Sequence, residues 1–84
     1  MDDKQDRLAR CFLAVFPRMS KRDVQKASQI STAGWDSVAT ITLLTAIEEE
    51  FGIQVDMENL DQLTSFQSIL SYVKTRLSES AKEL

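Results

Sequence analysis

Apolar residues recur at helical spacing in three stretches of this 84-residue chain, and no stretch offers a strand of useful length. Leu8, Cys11, Phe12 and Val15 fall at i, i+3, i+4 and i+7, which lays one apolar stripe along a first helix from about Asp2 to Phe16. Pro17 is placed to stop it. Leu43, Leu44, Ile47 and Phe51 make the same kind of stripe on a second helix, from Asp36-Ser37 to Phe51, with Gly52 as its C-terminal cap. Phe66, Ile69, Leu70, Val73 and Leu77 make a third. That last helix opens at Thr64, where Thr64-Ser65-Phe66-Gln67 reads as a T-x-x-Q capping box.

Between these elements the chain is polar. Residues 18–35 read as a long connection rich in Ser, Lys and Gln, with Ile30 as its expected core contact. Residues 53–55 look extended, and a short helical turn carrying Met57 and Leu60 is expected after Asp56. The pattern therefore predicts a small all-α four-helix bundle, three main helices plus one short helix. It forms a single domain over 1–84, ordered over about 5–77 and frayed over about 78–84. A domain this short buries only about 60–65% of its unfolded surface, so its core is thin.

Composition removes whole classes of function. There is no His, so no imidazole serves a nucleophile or a metal. One Cys forms no internal disulfide and no thiolate cluster, and a reducing, cytoplasmic compartment fits it best. No apolar run is long enough for a membrane span, and the N-terminal Met-Asp-Asp-Lys-Gln-Asp is too polar for a secretory signal. With two Gly and one Pro there is no glycine-rich phosphate loop. Asp56-Met57-Glu58-Asn59-Leu60-Asp61 lacks the glycine and the ligand spacing of a calcium loop. No enzyme constellation remains, and no metal site is expected.

The net charge of −3 hides segregation. Residues 1–26 carry seven basic side chains against four acidic ones. Residues 27–73 carry seven acidic side chains and no basic one. An acidic middle repels nucleic acid and attracts basic protein surfaces. It reads either as a solvated face or as a docking face.

Two further features of the second helix each have two readings. Val38, Ile41 and Thr45 fall away from its core stripe, on a side shared with Glu48 and Glu49. They either pack under a loop or form a protein contact. Ser37 stands where the first backbone N–H groups lack partners and the helix dipole is positive. Either Ser37 or Asp36 merely caps the helix, or the Ser37 oxygen carries an anion in a favourable field.

Gly34-Trp35-Asp36-Ser37-Val38 resembles the Gly-x-Asp-Ser-Leu signature of acyl carrier proteins. The resemblance continues through Ile41, Leu44, Ala46-Ile47-Glu48-Glu49-Glu50-Phe51-Gly52-Ile53, Val55, Leu63-Thr64-Ser65-Phe66 and Tyr72-Val73, covering roughly residues 5–77. It implies a four-helix carrier in which Ser37, preceded by Asp36, bears 4′-phosphopantetheine attached from coenzyme A by a phosphopantetheinyl transferase. Acyl intermediates then ride on the terminal thiol as thioesters. The carrier itself catalyses nothing and binds neither nucleic acid nor membrane. Its partners are acyl- or aminoacyl-loading and transferring enzymes with basic docking patches. They are expected to meet a monomer at Val38, Ile41, Thr45, Glu48 and Glu49.

Val38, Ala39, Thr42 and Trp35 depart from the common fatty-acid pattern, as does the cationic first third. They favour a dedicated lipid, polyketide, glycan-modification or amino-acid-loading pathway. The alternatives are an aminoacyl or peptidyl carrier on the same serine, and an unmodified helical interaction module. Cys11 is expected as a buried, inert thiol. Trp35 either packs over the bundle or lies beside the prosthetic arm.

Overall fold

The computed structural model describes residues 3–82, without the side chains of residues 57 and 79–82. In chain order the helices are α1 (Asp3–Val15), α2 (Lys21–Val24), α3 (Ser37–Phe51), a 3₁₀ helix (Met57–Gln62) and α4 (Phe66–Lys82). α1 packs against α2, α3 and α4. Among the described residues there is no strand, only an isolated bridge between Ser28 and Ser65.

The three predicted stripes form one core. Leu8, Cys11 and Phe12 of α1 meet Leu43, Leu44, Ile47 and Phe51 of α3, and Phe66, Ile69, Leu70 and Val73 of α4. Val15 and Leu77, at the ends of their stripes, are half-buried. α1 stops before Pro17 as the sequence requires. α3 ends at Gly52, whose φ of +65° is the left-handed geometry that glycine adopts without a Cβ penalty.

The connection between α1 and α3 differs from its sequence reading. Ile30 is 99% exposed and takes no part in the core. Val24, Ala27 and Trp35 are buried instead. The reason is backbone pairing. Gln29 N–H donates to Thr64 C=O at 2.7 Å and Phe66 N–H donates to Ala27 C=O at 2.9 Å, which seats Ala27 inward. The single turn of α2 buries Val24, and so short a helix gives little periodicity to read.

The start of α4 is shifted by one residue from the predicted box. Ser65 and Ser68 cap each other: Ser68 N–H donates to Ser65 Oγ at 3.1 Å, and Ser65 N–H to Ser68 Oγ at 3.2 Å. Gln67 reaches Gln25 C=O instead of closing a box on Thr64. The helix also continues through Lys82, into the stretch expected to fray, with residues 83 and 84 outside the described residues. The short helix after Asp56 is 3₁₀ rather than α, capped by the Asp56 carboxylate accepting Glu58 N–H at 3.0 Å.

Candidate functional site

The N-terminus of α3 is built by three successive residues with separate tasks. Trp35 is 4% exposed. Its ring lies edge-on to Phe12 at 5.4 Å and tilted against Phe16 at 5.7 Å. Its Nε1–H donates to Thr40 Oγ1 at 2.8 Å, and that hydroxyl donates to Asp36 C=O at 2.9 Å. Trp35 therefore packs into the bundle and ties the first turn of α3 to α1. Asp36 is extended and caps the helix, its carboxylate accepting Ala39 N–H at 2.9 Å. Ser37 is the first helical residue and is exposed.

That division leaves an unspent donor set beside the Ser37 hydroxyl. Asp36 satisfies the N–H of Ala39 through its side chain and that of Thr40 through its carbonyl. The N–H groups of Ser37 and Val38 have no acceptor among the described residues. They form the positive end of the α3 dipole, where an anion is favoured. A concavity of about 330 Å³ opens there, lined by Gln29, Ser37, Thr40, Leu60, Asp61 and Thr64.

The outward side of α3 is apolar near Ser37 and acidic further along. Val38 is 73% exposed and Ile41 47% exposed, so neither packs under a loop. Thr45 and Glu49 are exposed on the same helix. The three consecutive glutamates are not equivalent. Glu48 is half-buried, and its Oε2 accepts Val55 N–H at 2.8 Å, holding the chain just after the helix. Glu50 pairs with Arg7 of α1 at 3.4 Å, and the same guanidinium sits 4.6 Å above the Phe51 ring. Of the three, only Glu49 has a carboxylate with no bond among the described residues, and it is exposed. Sequence pattern grouped Glu48 with Glu49 because a helical wheel does not show the chain returning past position 52.

Cys11 is buried, with Sγ 3.9 Å from Ala46 C=O. Burial pushes its thiol above the ordinary value, Glu50 pushes it further, and Arg7 opposes. The thiolate is disfavoured, so this is no nucleophile. Among the described residues no cluster of His, Cys, Asp and Glu is arranged to hold a metal ion. No described helix is long and apolar enough to cross a membrane.

With this geometry in place, residues 6–73 match the family model described as the phosphopantetheine attachment site. The chain belongs to that family. Members are carriers rather than enzymes, and their prosthetic group is a covalently attached 4′-phosphopantetheine. The attachment-site fold fits such a group: an exposed serine oxygen, two unspent N–H donors and an adjoining concavity stand together. The chain is also similar to a mitochondrial acyl carrier protein of Dictyostelium discoideum, with 32% identity over 59 residues, 70% of this chain and 49% of the relative. It thus spans about half the length of that curated relative.

Proposed function

We propose that Ser37 is the attachment point and that this domain carries acyl groups for partner enzymes of a dedicated lipid, polyketide or other specialised pathway. The observation that carries the reading is the exposed Ser37 hydroxyl at the first position of α3, next to N–H groups that have no acceptor among the described residues. When bound, the arm supplies a mobile thiol on which cargo is held as a thioester.

The chain's own residues do the rest. In loading, the Ser37 Oγ–P bond forms as the pyrophosphate P–O bond of coenzyme A breaks, and the nucleotide half leaves. The serine proton passes to a base of the transferase. The N–H groups of Ser37 and Val38, without an acceptor among the described residues, would be the donors that hold the phosphodiester. Asp36 fixes the helix start, so the serine does not wander between capping and presenting roles.

Docking is assigned to Val38, Ile41, Thr45 and Glu49, with Glu48 contributing through the carboxylate oxygen that does not hold Val55. A basic patch on the partner would steer to this side, and the small apolar strip would give brief contact without tight affinity. The unpaired, buried Cys11 supports a reducing compartment such as the cytoplasm.

Incubation with coenzyme A and a promiscuous phosphopantetheinyl transferase should add the mass of one phosphopantetheine. Ser37→Ala should stay unmodified. An unreactive wild-type chain would overturn the assignment.

A further inference from the structure

A second concavity lies on the other side of the α3 N-terminus, and it has the opposite charge. It is a cleft of about 710 Å³ between the end of α1, α2 and the segment 31–34. Phe16, Met19, Ala27 and Ala39 supply apolar walls, and Arg18 and Lys26 stand on its rim. Lys21 and Arg22 extend the positive charge along α2. None of these four cations has an ion pair or side-chain hydrogen bond among the described residues. Asp23 is the only acid on the lining, and its carboxylate accepts the Ser20 hydroxyl at 2.9 Å. Ile30, fully exposed one residue before the lining Ser31, adds an apolar anchor at the edge.

We propose that this cleft is a second docking surface, whose occupant is an acidic segment of a partner protein that also carries apolar side chains. The charge argument selects the occupant. Four unpaired cations around an apolar floor complement a short stretch of carboxylates flanked by Leu or Phe. Nucleic acid and anionic membrane are disfavoured, because either extends well beyond the cleft. Each would have to lie against a chain of net charge −3, seven of whose acidic side chains fall in positions 27–73 with no basic one among them. A short acidic segment meets only the local basic rim.

Gly34 and Ala39 line this cleft while Ser37 lines the concavity on the other side. A partner seated here is therefore next to the α3 N-terminus without covering the docking strip of Val38 and Ile41. The proposal does not depend on Ser37 being modified.

The test is amide chemical-shift mapping on the ¹⁵N-labelled, unmodified chain. The probe is a synthetic peptide of repeating Glu-Glu-Leu-Leu, compared with its Lys-Lys-Leu-Leu counterpart. The acidic peptide should shift Arg18, Met19, Ala27 and residues 32–34. Arg18→Glu combined with Lys26→Glu should weaken it by roughly fivefold or more, while Glu49→Lys should not. The basic peptide should shift residues 38–49 instead. If the charge-reversed pair does not fold, Arg18→Gln with Lys26→Gln should give the same direction of effect. Binding unchanged by either pair, acidic-peptide shifts outside the cleft, or phosphatidylserine vesicles binding there in place of the peptide would overturn the proposal.

Discussion

The Trp35–Thr40 bond makes a quantitative claim about what holds the Ser37 end of α3. In Thr40→Val the side-chain shape is kept but the buried Trp35 N–H loses its 2.8 Å acceptor. An orphaned buried donor costs about 1–3 kcal/mol, and losing the Thr40 bond to the Asp36 carbonyl removes only the smaller net worth of a partly exposed bond. The variant should therefore be destabilised by about 2 kcal/mol. Trp35→Phe removes the donor itself together with part of a ring packed on Phe12 and Phe16. One hydrogen bond and a partial cavity together come to about 2–3 kcal/mol. In the Trp35→Phe background, Thr40→Val orphans nothing, so its cost should fall by about 1 kcal/mol or more. Urea unfolding followed by far-ultraviolet circular dichroism reads all four proteins. With a slope of about 1 kcal/mol/M for a chain this short, Thr40→Val should move the midpoint by about 2 M. Equal cost of Thr40→Val in both backgrounds would refute the reasoning.

Four other outcomes are expected. Glu48→Ala should cost about 1–2 kcal/mol in the same urea assay, because Val55 N–H loses a charged acceptor, whereas Glu49→Ala should stay within about 0.5 kcal/mol. Glu49→Lys should nonetheless slow transferase loading, more at low salt than at high salt, and salt-independent loading would count against the acidic side of α3 as a steering surface. Ile30→Ser should leave stability within about 0.5 kcal/mol, since the side chain is 99% exposed, and a larger loss would place it in the core after all. Cys11 should resist alkylation in the folded state and react at once in urea. Its thiol is raised on folding, so the folded state holds this proton more tightly. The stability it contributes is full below the ordinary thiol range and fades as pH rises through the raised value, which alkaline unfolding measures.

How far the sequence could be read follows from where its periodicity was long. α1, α3 and α4 each repeat their apolar spacing over several turns, and the core stripes of α1 and α3, with Phe66, Ile69, Leu70 and Val73 of α4, lie where the spacing placed them. α3 was legible to its cap, because Asp36 and Gly52 each have one local task. The connection was not. Ile30 is its most apolar residue, and pattern alone drew it inward. The backbone bonds to Thr64 and Phe66 turn Ala27 inward instead, and those partners are more than thirty positions away. The α4 cap slipped by one for a similar reason, since Ser65 and Ser68 satisfy each other and leave Gln67 to Gln25. At the site, Ser37, Val38 and Ile41 were visible as a helix start with a spare apolar strip. The inward turn of Glu48 and the pairing of Glu50 with Arg7 needed the tertiary fold. So did the packing of Trp35, whose ring finds Phe12 and Phe16 across the bundle.

The decisive measurement is fragmentation mass spectrometry of the protein purified from its native host. A single phosphopantetheine on Ser37 is the predicted result. The same group on any other hydroxyl, or a chain that never acquires it, would contradict the account.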